Sequence, residues 1–566
     1  MSKFIYTLAI GICFLMACQP DTQETADLVI YNGLIYTAND QQPQVEAVAT
    51  LDGRVFFTGN RAEVEKLIGA ETKLIDLEGK SMFPGFIESH GHIMGLGNAK
   101  LKLDLTQLEN YEALVAMVKE AVAKSSPGEW ILGRGWHQSK WNPQPHPLIS
   151  GFQTHEALSA VSPDNPVWLT HASGHAGFAN AKAMDIAGVS GKTVFEQGGE
   201  ILLDEAGNPT GIFNERAQAL ISQHIPKPTT DLRRRALELA IEECLSHGIT
   251  SFQDAGSGKS DIALYKDFVK EGKLGINLWV MLSGGNKDLL KDWYAKGPEI
   301  DPNGHLTIRA IKLYADGALG SRGAWLLAPY TDRAGHLGHA SMSMDEIEQT
   351  SRDALKHGFQ VCVHAIGDRA NQEVLNRFEA TFRANPDAAS DHRYRIEHAQ
   401  HLDLADIPRF AELGVIASMQ GIHMASDRPW AIDRLGKQRI VDGAYVWQKL
   451  LQSGAKVING TDVPVEPINP LASFYASVSR KTLAGTPEGG YEPDQKMSRQ
   501  QALRSYTLDA AYGAFEEGIK GSMEIGKRAD FVVLSKDIMQ IPEDEILQTQ
   551  VVYTIVGGEV KWGMRK

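Results

Sequence analysis

Between residues 83 and 458 the chain repeats one pattern eight times: a short apolar run, then longer polar sequence. The runs are Phe83–Ile87, Ile249–Gln253, Leu278–Leu282, Ile308–Tyr314, Phe359–Val363, Tyr394–Ile396, Val415–Met419 and Lys456–Ile458. Each is too short for a helix and is bounded as a strand buried on both faces would be. Between several of them, at Asp231–Ser246, Met344–His357 and Asn371–Asn385, the apolar residues follow a helical period. Strand–helix alternation predicts a parallel sheet with helical crossovers, and eight units close into a (β/α)8 TIM-type barrel of α/β class. The interval between the first and second runs is about 160 residues, far more than one crossover needs. It predicts an insertion at about 125–230.

The two ends have another texture. Leu28–Tyr31, Leu34–Tyr36 and Arg54–Phe57 are β-rich and separated by Asn32-Gly33 and Asp52-Gly53; Asp530–Leu534, Val551–Val556 and Val560 repeat the style around Gly557-Gly558. Such dipeptides read as hairpin turns. Neither piece is large enough to close a core alone, so both ends are expected to build one small β-sandwich. The expected division is 1–17 leader, 18–26 tether, 27–82 first part of the sandwich, 83–515 barrel with its insertion, and 516–566 second part.

The leader is read from Lys3 and the apolar run Phe4–Ala17, about 14 residues and too short to span a bilayer of about 30 Å. It ends Leu15-Met16-Ala17-Cys18 and continues with polar Gln19–Glu24. This resembles a bacterial lipobox, which implies cleavage before Cys18 and a lipid on its thiol. The expectation is a bacterial envelope protein held by a lipid anchor alone, with Gln19 favouring the outer membrane. The other cysteines are few, and Cys244 and Cys362 lie in apolar-periodic segments as reduced core residues. A net charge of −14 and a pI near 5.7 argue against a nucleic-acid partner. A small molecule is the expected partner, and a homo-oligomer is compatible with the sequence.

In barrels of this kind reactive residues sit at the C-terminal strand ends. The first run leads into Glu88-Ser89-His90-Gly91-His92, the fourth holds Lys312, the fifth leads to His364, the sixth to Glu397-His398, and the eighth to Asn459-Gly460-Thr461-Asp462. His90 and His92, two apart on a strand, share a side and can hold one divalent metal. Most His-x-His pairs bind nothing, and a lone His364, His398 or Asp462 has ordinary structural readings. The signal is that all five strand ends are in register. Lys312 lies in an apolar strand, where an ammonium is costly. Either it faces outward or pairs with Asp316, or it loses its proton and reacts with carbon dioxide to form a carbamate able to bridge two metals.

These segments resemble the amidohydrolase superfamily, in its amidohydrolase-3 branch of exoenzyme and N-substituted formamide deformylase-like proteins. The likeness runs through Phe83–His92, Lys312–Arg322, His364–Asp368, Arg395–Ala399, Gly460–Asp462 and Gly526–Leu534. Glu88 stands where Asp is commoner and is not read as a ligand. The resemblance implies one metal on His90, His92 and Asp462, a second on His364 and His398, and carboxylated Lys312 between them. It implies one or two zinc ions, with iron or manganese as alternatives, and Asp462 as the residue that takes a proton from water and passes it to a leaving amine. The implied activity is hydrolysis of a non-peptide C–N bond. The alternatives are a lactone or ester hydrolase and a solute-binding lipoprotein without turnover. Arg134, Trp136, His171, His175 and Arg322 are candidate substrate contacts, since the first four lie in the insertion and Arg322 ends the lysine motif. Asp316 and Asp368 are candidates for orienting ligands, and Trp136, Trp141 and Trp168 for walling a pocket.

Overall fold

The computed structural model describes residues 24–138, 141–171, 176–195 and 199–564. Cys18 and the whole leader, and also His175, lie outside them. Each of the eight apolar runs becomes, or overlaps, a strand of one parallel ring: β1 (Phe86–Gly91), β2 (Ile249–Ser257), β3 (Asn277–Ser283), β4 (Leu306–Tyr314), β5 (Gln360–Ala365), β6 (Arg395–His398), β7 (Ile416–Gln420) and β8 (Val457–Gly460). Neighbours from β1 to β8 pair in parallel in sequence order. The seam between β8 and β1 is drawn together at the strand ends. Asp462 N donates to His90 O at 2.8 Å, and His92 N donates to Val463 O at 2.7 Å. Glu88, buried at the centre of β1, accepts from Thr461 N at 2.7 Å and Thr461 Oγ1 at 2.8 Å. Glu88 thus closes the barrel and is not among the ligand-forming groups.

The crossover helices show why the periodicity was legible. In Met344–Lys356, Ser343 caps the N-terminus by accepting from Glu346 N, and the buried residues are Ile347, Ser351, Ala354 and Leu355. Those positions form one stripe, because residues three and four apart share a helix face. Burying each large aliphatic there contributes about 1.5–3 kcal/mol. Ile347→Ala would also leave a cavity, at a cost of about 2–5 kcal/mol.

Both ends of the chain join in one connected eight-stranded sheet. Its order is Glu559–Gly563, Val551–Val556, Phe531–Leu534, Ser81–Pro84, Leu28–Tyr36, Gln44–Leu51 and Arg54–Gly59, with Lys73–Asp76 also paired to Leu28–Tyr36. Asp52-Gly53 and Gly557-Gly558 are tight turns with positive φ at both positions, 50° and 72°, then 58° and 74°. Asn32-Gly33 is not a hairpin. Leu28–Tyr36 runs on through it as one strand, with Asn32 at φ 61° marking an irregularity. There the strand changes partner, from Lys73–Asp76 before it to Ser81–Pro84 after it. An Asn-Gly pair serves a bulge as readily as a turn, since both need a left-handed residue.

The excursion between β1 and β2 carries a six-stranded sheet reaching from Leu103–Asp104 to Pro209–Glu215. It starts well before residue 125, because Tyr111, Leu114 and Val118 of the helix Tyr111–Ala123 share a core with Ile131 and Trp136. Among the described residues no helix is long and apolar enough to cross a membrane. Cys244 and Cys362 are free and buried.

Candidate metal centre

The histidines meet at the C-terminal rim of the ring. His90 is fully buried, and its Nδ1 lies 2.5 Å from Glu397 Oε2. Its Nε2 then faces the rim centre, 3.2 Å from Lys312 Nζ and 3.6 Å from Asp462 Oδ1. His92 Nε2 lies 3.2 Å from the same Asp462 oxygen. The ring of His398 lies 4.9 Å from that of His90 and 4.5 Å from that of His364. Lys312 is 1% exposed and points at His90. Asp316 instead accepts backbone N–H groups from Trp325, Ile366 and Gly367 and lies 3.5 Å from His364 Nε2. All six strand-end residues therefore gather in one place.

Two of these residues hold unusual backbone. His398 has φ 78° and Asp462 φ 60°. A non-glycine residue in the left-handed region costs about 1–3 kcal/mol and persists where the surroundings impose it. Here the strand ends turn sharply inward to aim an imidazole and a carboxylate at one point.

Donor atoms cluster in two overlapping groups, His90–His92–Asp462 and His398–His423–Asp462, each with all ligand atoms within 4.8 Å of one another. Asp462 is the shared member. Burial, aided by the neighbouring Lys312 charge, lowers His90 to about 4 and His364 to about 3. Burial also takes His398 well below its ordinary value and lowers the Lys312 amine. Burial alone would raise Asp462, but His92, His90, His398 and His423 outweigh it and hold the carboxyl well below the usual range. Glu397 is likewise held low, with Arg395 overcoming the effect of burial. Burial thus keeps His90, His364 and His398 in the neutral form that ligates a cation, while at His92 burial is outweighed by Asp462, which raises the ring's pKa, and a cation would have to displace that proton.

Behind the first ring stands a second. Arg395, fully buried, donates from Nε to Glu397 Oε1 at 2.7 Å, and from its other nitrogens to Gln253 Oε1, Ser89 O and Ser418 Oγ. Gln420 Oε1 lies 2.7 Å from His398 Nδ1, and Gln400 Nε2 lies 2.9 Å from His423 Nδ1. A carboxylate or amide on one imidazole nitrogen fixes the tautomer and leaves the other nitrogen defined. Nothing in the sequence singles out His423, Gln400 or Gln420, and Arg395 and Glu397 stand there only as parts of a motif. A signal existed for the last pair. Two opposite charges two apart in an apolar strand share a face and must pair when buried.

The proposed substrate contacts are placed differently. Trp136 is wholly buried in the insertion's core with its indole N–H on Leu169 O, so it has no free face to offer. Trp141 and Trp168 are also buried and pack rather than wall an opening. His171 is buried, its ring 4.6 Å from that of Trp136 and 4.7 Å from that of His137. Arg134 is exposed on the insertion strand Ile131–Trp136. Arg322, at φ 59°, is tied to Asp332 at 2.7 Å. Asp368 accepts from Leu327 N at 2.8 Å and so pins a loop. None of these described contacts reaches the histidine rim.

A sequence-family model of the amidohydrolase family matches residues 73–561. The chain is 33% identical to Protein LONG AFTER FAR-RED 3 of Arabidopsis thaliana, over 96% of its own length and 93% of that protein's. It is 28% identical to N-substituted formamide deformylase of Arthrobacter pascens, over 95% and 98%. Among solved structures, an uncharacterized metal-dependent hydrolase from Pyrococcus furiosus superposes with TM-score 0.74 at 30% identity, covering 91% of this chain and all of that one. With the matched segment holding every strand of the ring and every residue of the rim, the chain belongs to the amidohydrolase family and is, as that membership implies, a hydrolase of carbon–nitrogen bonds.

Proposed function

We propose that this protein is a metal-dependent hydrolase that cleaves a non-peptide, amide-type C–N bond of a small molecule. The observation that carries the reading is the His90–His92–Asp462 group, whose ligand atoms lie within 4.8 Å of one another at the adjoining ends of β1 and β8. The rim also fits a cation on its own terms. Asp462 Oδ1 and His364 Nε2 are buried and make no aligned hydrogen bond, their nearest titratable neighbours being His92 Nε2 at 3.2 Å and Asp316 Oδ1 at 3.5 Å. His90, His92 and Asp462 would hold one zinc ion, and His364 and His398 a second, with carboxylated Lys312 between them. Carboxylation needs an unprotonated amine, the form that burial favours for Lys312. When bound, zinc supplies Lewis acidity, easing deprotonation of water and polarising a carbonyl.

The chain's own groups do the rest. Asp462, held anionic, takes a proton from the attacking water. Oxygen joins the acyl carbon, the C–N bond breaks, and Asp462 returns the proton to the leaving nitrogen, giving an amine and a carboxylic acid that releases its remaining proton to solvent as the carboxylate. Glu397 and Gln420 hold the rings of His90 and His398 in position. The formamide deformylase relative supports this bond class. We place the mature chain on the bacterial envelope through a lipid on Cys18, the reading that Leu15–Cys18 supports.

The test is a panel of N-formyl, N-acyl and cyclic amides, with esters and lactones of matched acyl groups, given to zinc-loaded protein. Release of amine from at least one amide class, abolished by chelation, is expected. Turnover of esters and lactones alone would overturn the C–N assignment.

A further inference from the structure

His423 and His398 lie almost parallel, their ring centroids 5.9 Å apart and their planes 17° apart, yet their partners are opposite in kind. Gln420 presents its oxygen to His398 Nδ1. An oxygen only accepts, so that Nδ1 carries the proton and the Nε2 lone pair is left to ligate. Gln400 presents its nitrogen to His423 Nδ1. An amide nitrogen only donates, so this Nδ1 keeps its lone pair and the single proton of the neutral ring sits on Nε2. His423 is 6% exposed, and that Nε2 has no hydrogen-bond partner. It faces Asp462 Oδ2 across 3.9 Å, too long for a hydrogen bond.

A protonated nitrogen cannot bind a cation, although its position puts it among the candidate ligand atoms. It is instead a fixed donor beside the group that handles water. We propose that His423 Nε2–H donates to the acyl oxygen of the substrate, and that Gln400 is the positioning residue that keeps the proton on that nitrogen. This rests on the C–N hydrolase reading above. A neutral N–H aimed where negative charge gathers stabilises the tetrahedral stage without taking part in proton transfer. The arrangement needs no motion, because His423 sits in the first turn of the helix Gly421–Gly443, immediately after β7.

The test uses full-length zinc-loaded protein and has two arms independent of turnover. ¹⁵N-histidine NMR, assigned with His423→Gln, should show the Nε2–H tautomer at His423. Zinc content by elemental analysis should be the same in wild type, His423→Leu and His423→Gln. With an amide substrate, His423→Leu should lower kcat on the order of 10²–10³-fold with little change in KM. His423→Gln, which keeps an N–H near the same place, should recover roughly tenfold of that loss. Gln400→Glu accepts from Nδ1, moves the proton off Nε2, and should lower kcat as His423→Leu does. Loss of one zinc equivalent from His423→Leu, an Nδ1–H tautomer, or an unchanged kcat would each overturn the proposal. A wild type that hydrolyses no amide sinks the C–N reading, while the tautomer and zinc arms still decide whether His423 is a donor or a ligand.

Discussion

Replacing Glu397 by Gln isolates what the charge behind His90 does. The carboxylate is wholly buried and accepts from both sides, from His90 Nδ1 at 2.5 Å and from Arg395 Nε at 2.7 Å. Glutamine has nearly the same shape but only one accepting atom. If its oxygen faces Arg395, its NH2 faces His90 Nδ1, and the proton of His90 moves to Nε2, the nitrogen that should ligate. If its oxygen faces His90, the NH2 opposes the Arg395 donors. The first outcome weakens metal binding by about 10–100-fold, or about 1.4–2.7 kcal/mol. Removing one partner of a buried ion pair costs about 3–5 kcal/mol. The lower end is expected, because Arg395 keeps its bonds to Gln253, Ser89 O and Ser418. Zinc affinity would be measured by competition with a chromophoric chelator, and stability of the metal-free protein by urea unfolding. A variant that loses stability while binding zinc as tightly as wild type would refute the reasoning that Glu397 sets the His90 tautomer.

Metal-stripped protein should regain activity faster with zinc plus bicarbonate than with zinc alone; Lys312→Ala and Lys312→Arg should be nearly inactive, and a fully active Lys312→Ala variant rules out the bridging carbamate. His401 is buried with both ring nitrogens unpartnered, and burial lowers it to about 3 from 6.5. A lowered folded pKa means stability that is present above pH 6.5 and lost as pH falls towards 3, at about 1.4 kcal/mol per pH unit. His401→Phe should therefore lose about 2 kcal/mol less than wild type between pH 7 and 5 in urea titrations of metal-free protein, and equal losses would contradict this. Cys18→Ser should abolish labelling by palmitate in cells, and equal labelling would refute the lipid anchor.

The barrel was legible because its information is local. Strands buried on both faces must be short apolar runs, and crossover helices must carry one apolar stripe, so their order along the chain already specifies the ring. The principal rim residues were legible for the same reason: His90, His92, Lys312, His364, His398 and Asp462 each sit at or beside the end of a recognisable run. Tertiary structure alone decided what stands around them. His423 is one histidine in an apolar helix start, between Ile422 and Met424, and nothing nearby in the chain marks its approach to Asp462, which requires β7 and β8 to lie side by side. Glu397 meets His90 only because the ring brings β6 across from β1. Trp136 read as a pocket wall because an aromatic's chemistry suits either role, and only the tertiary packing of Trp141, Phe152, His171 and Phe178 around it decided for burial. Asn32-Gly33 read as a turn because its conformation is the same in a bulge, and the neighbouring strands decided between them. Residue type and spacing fix what a group can do; which partner it meets is set by contacts between segments hundreds of residues apart, and those exist only once the barrel has closed.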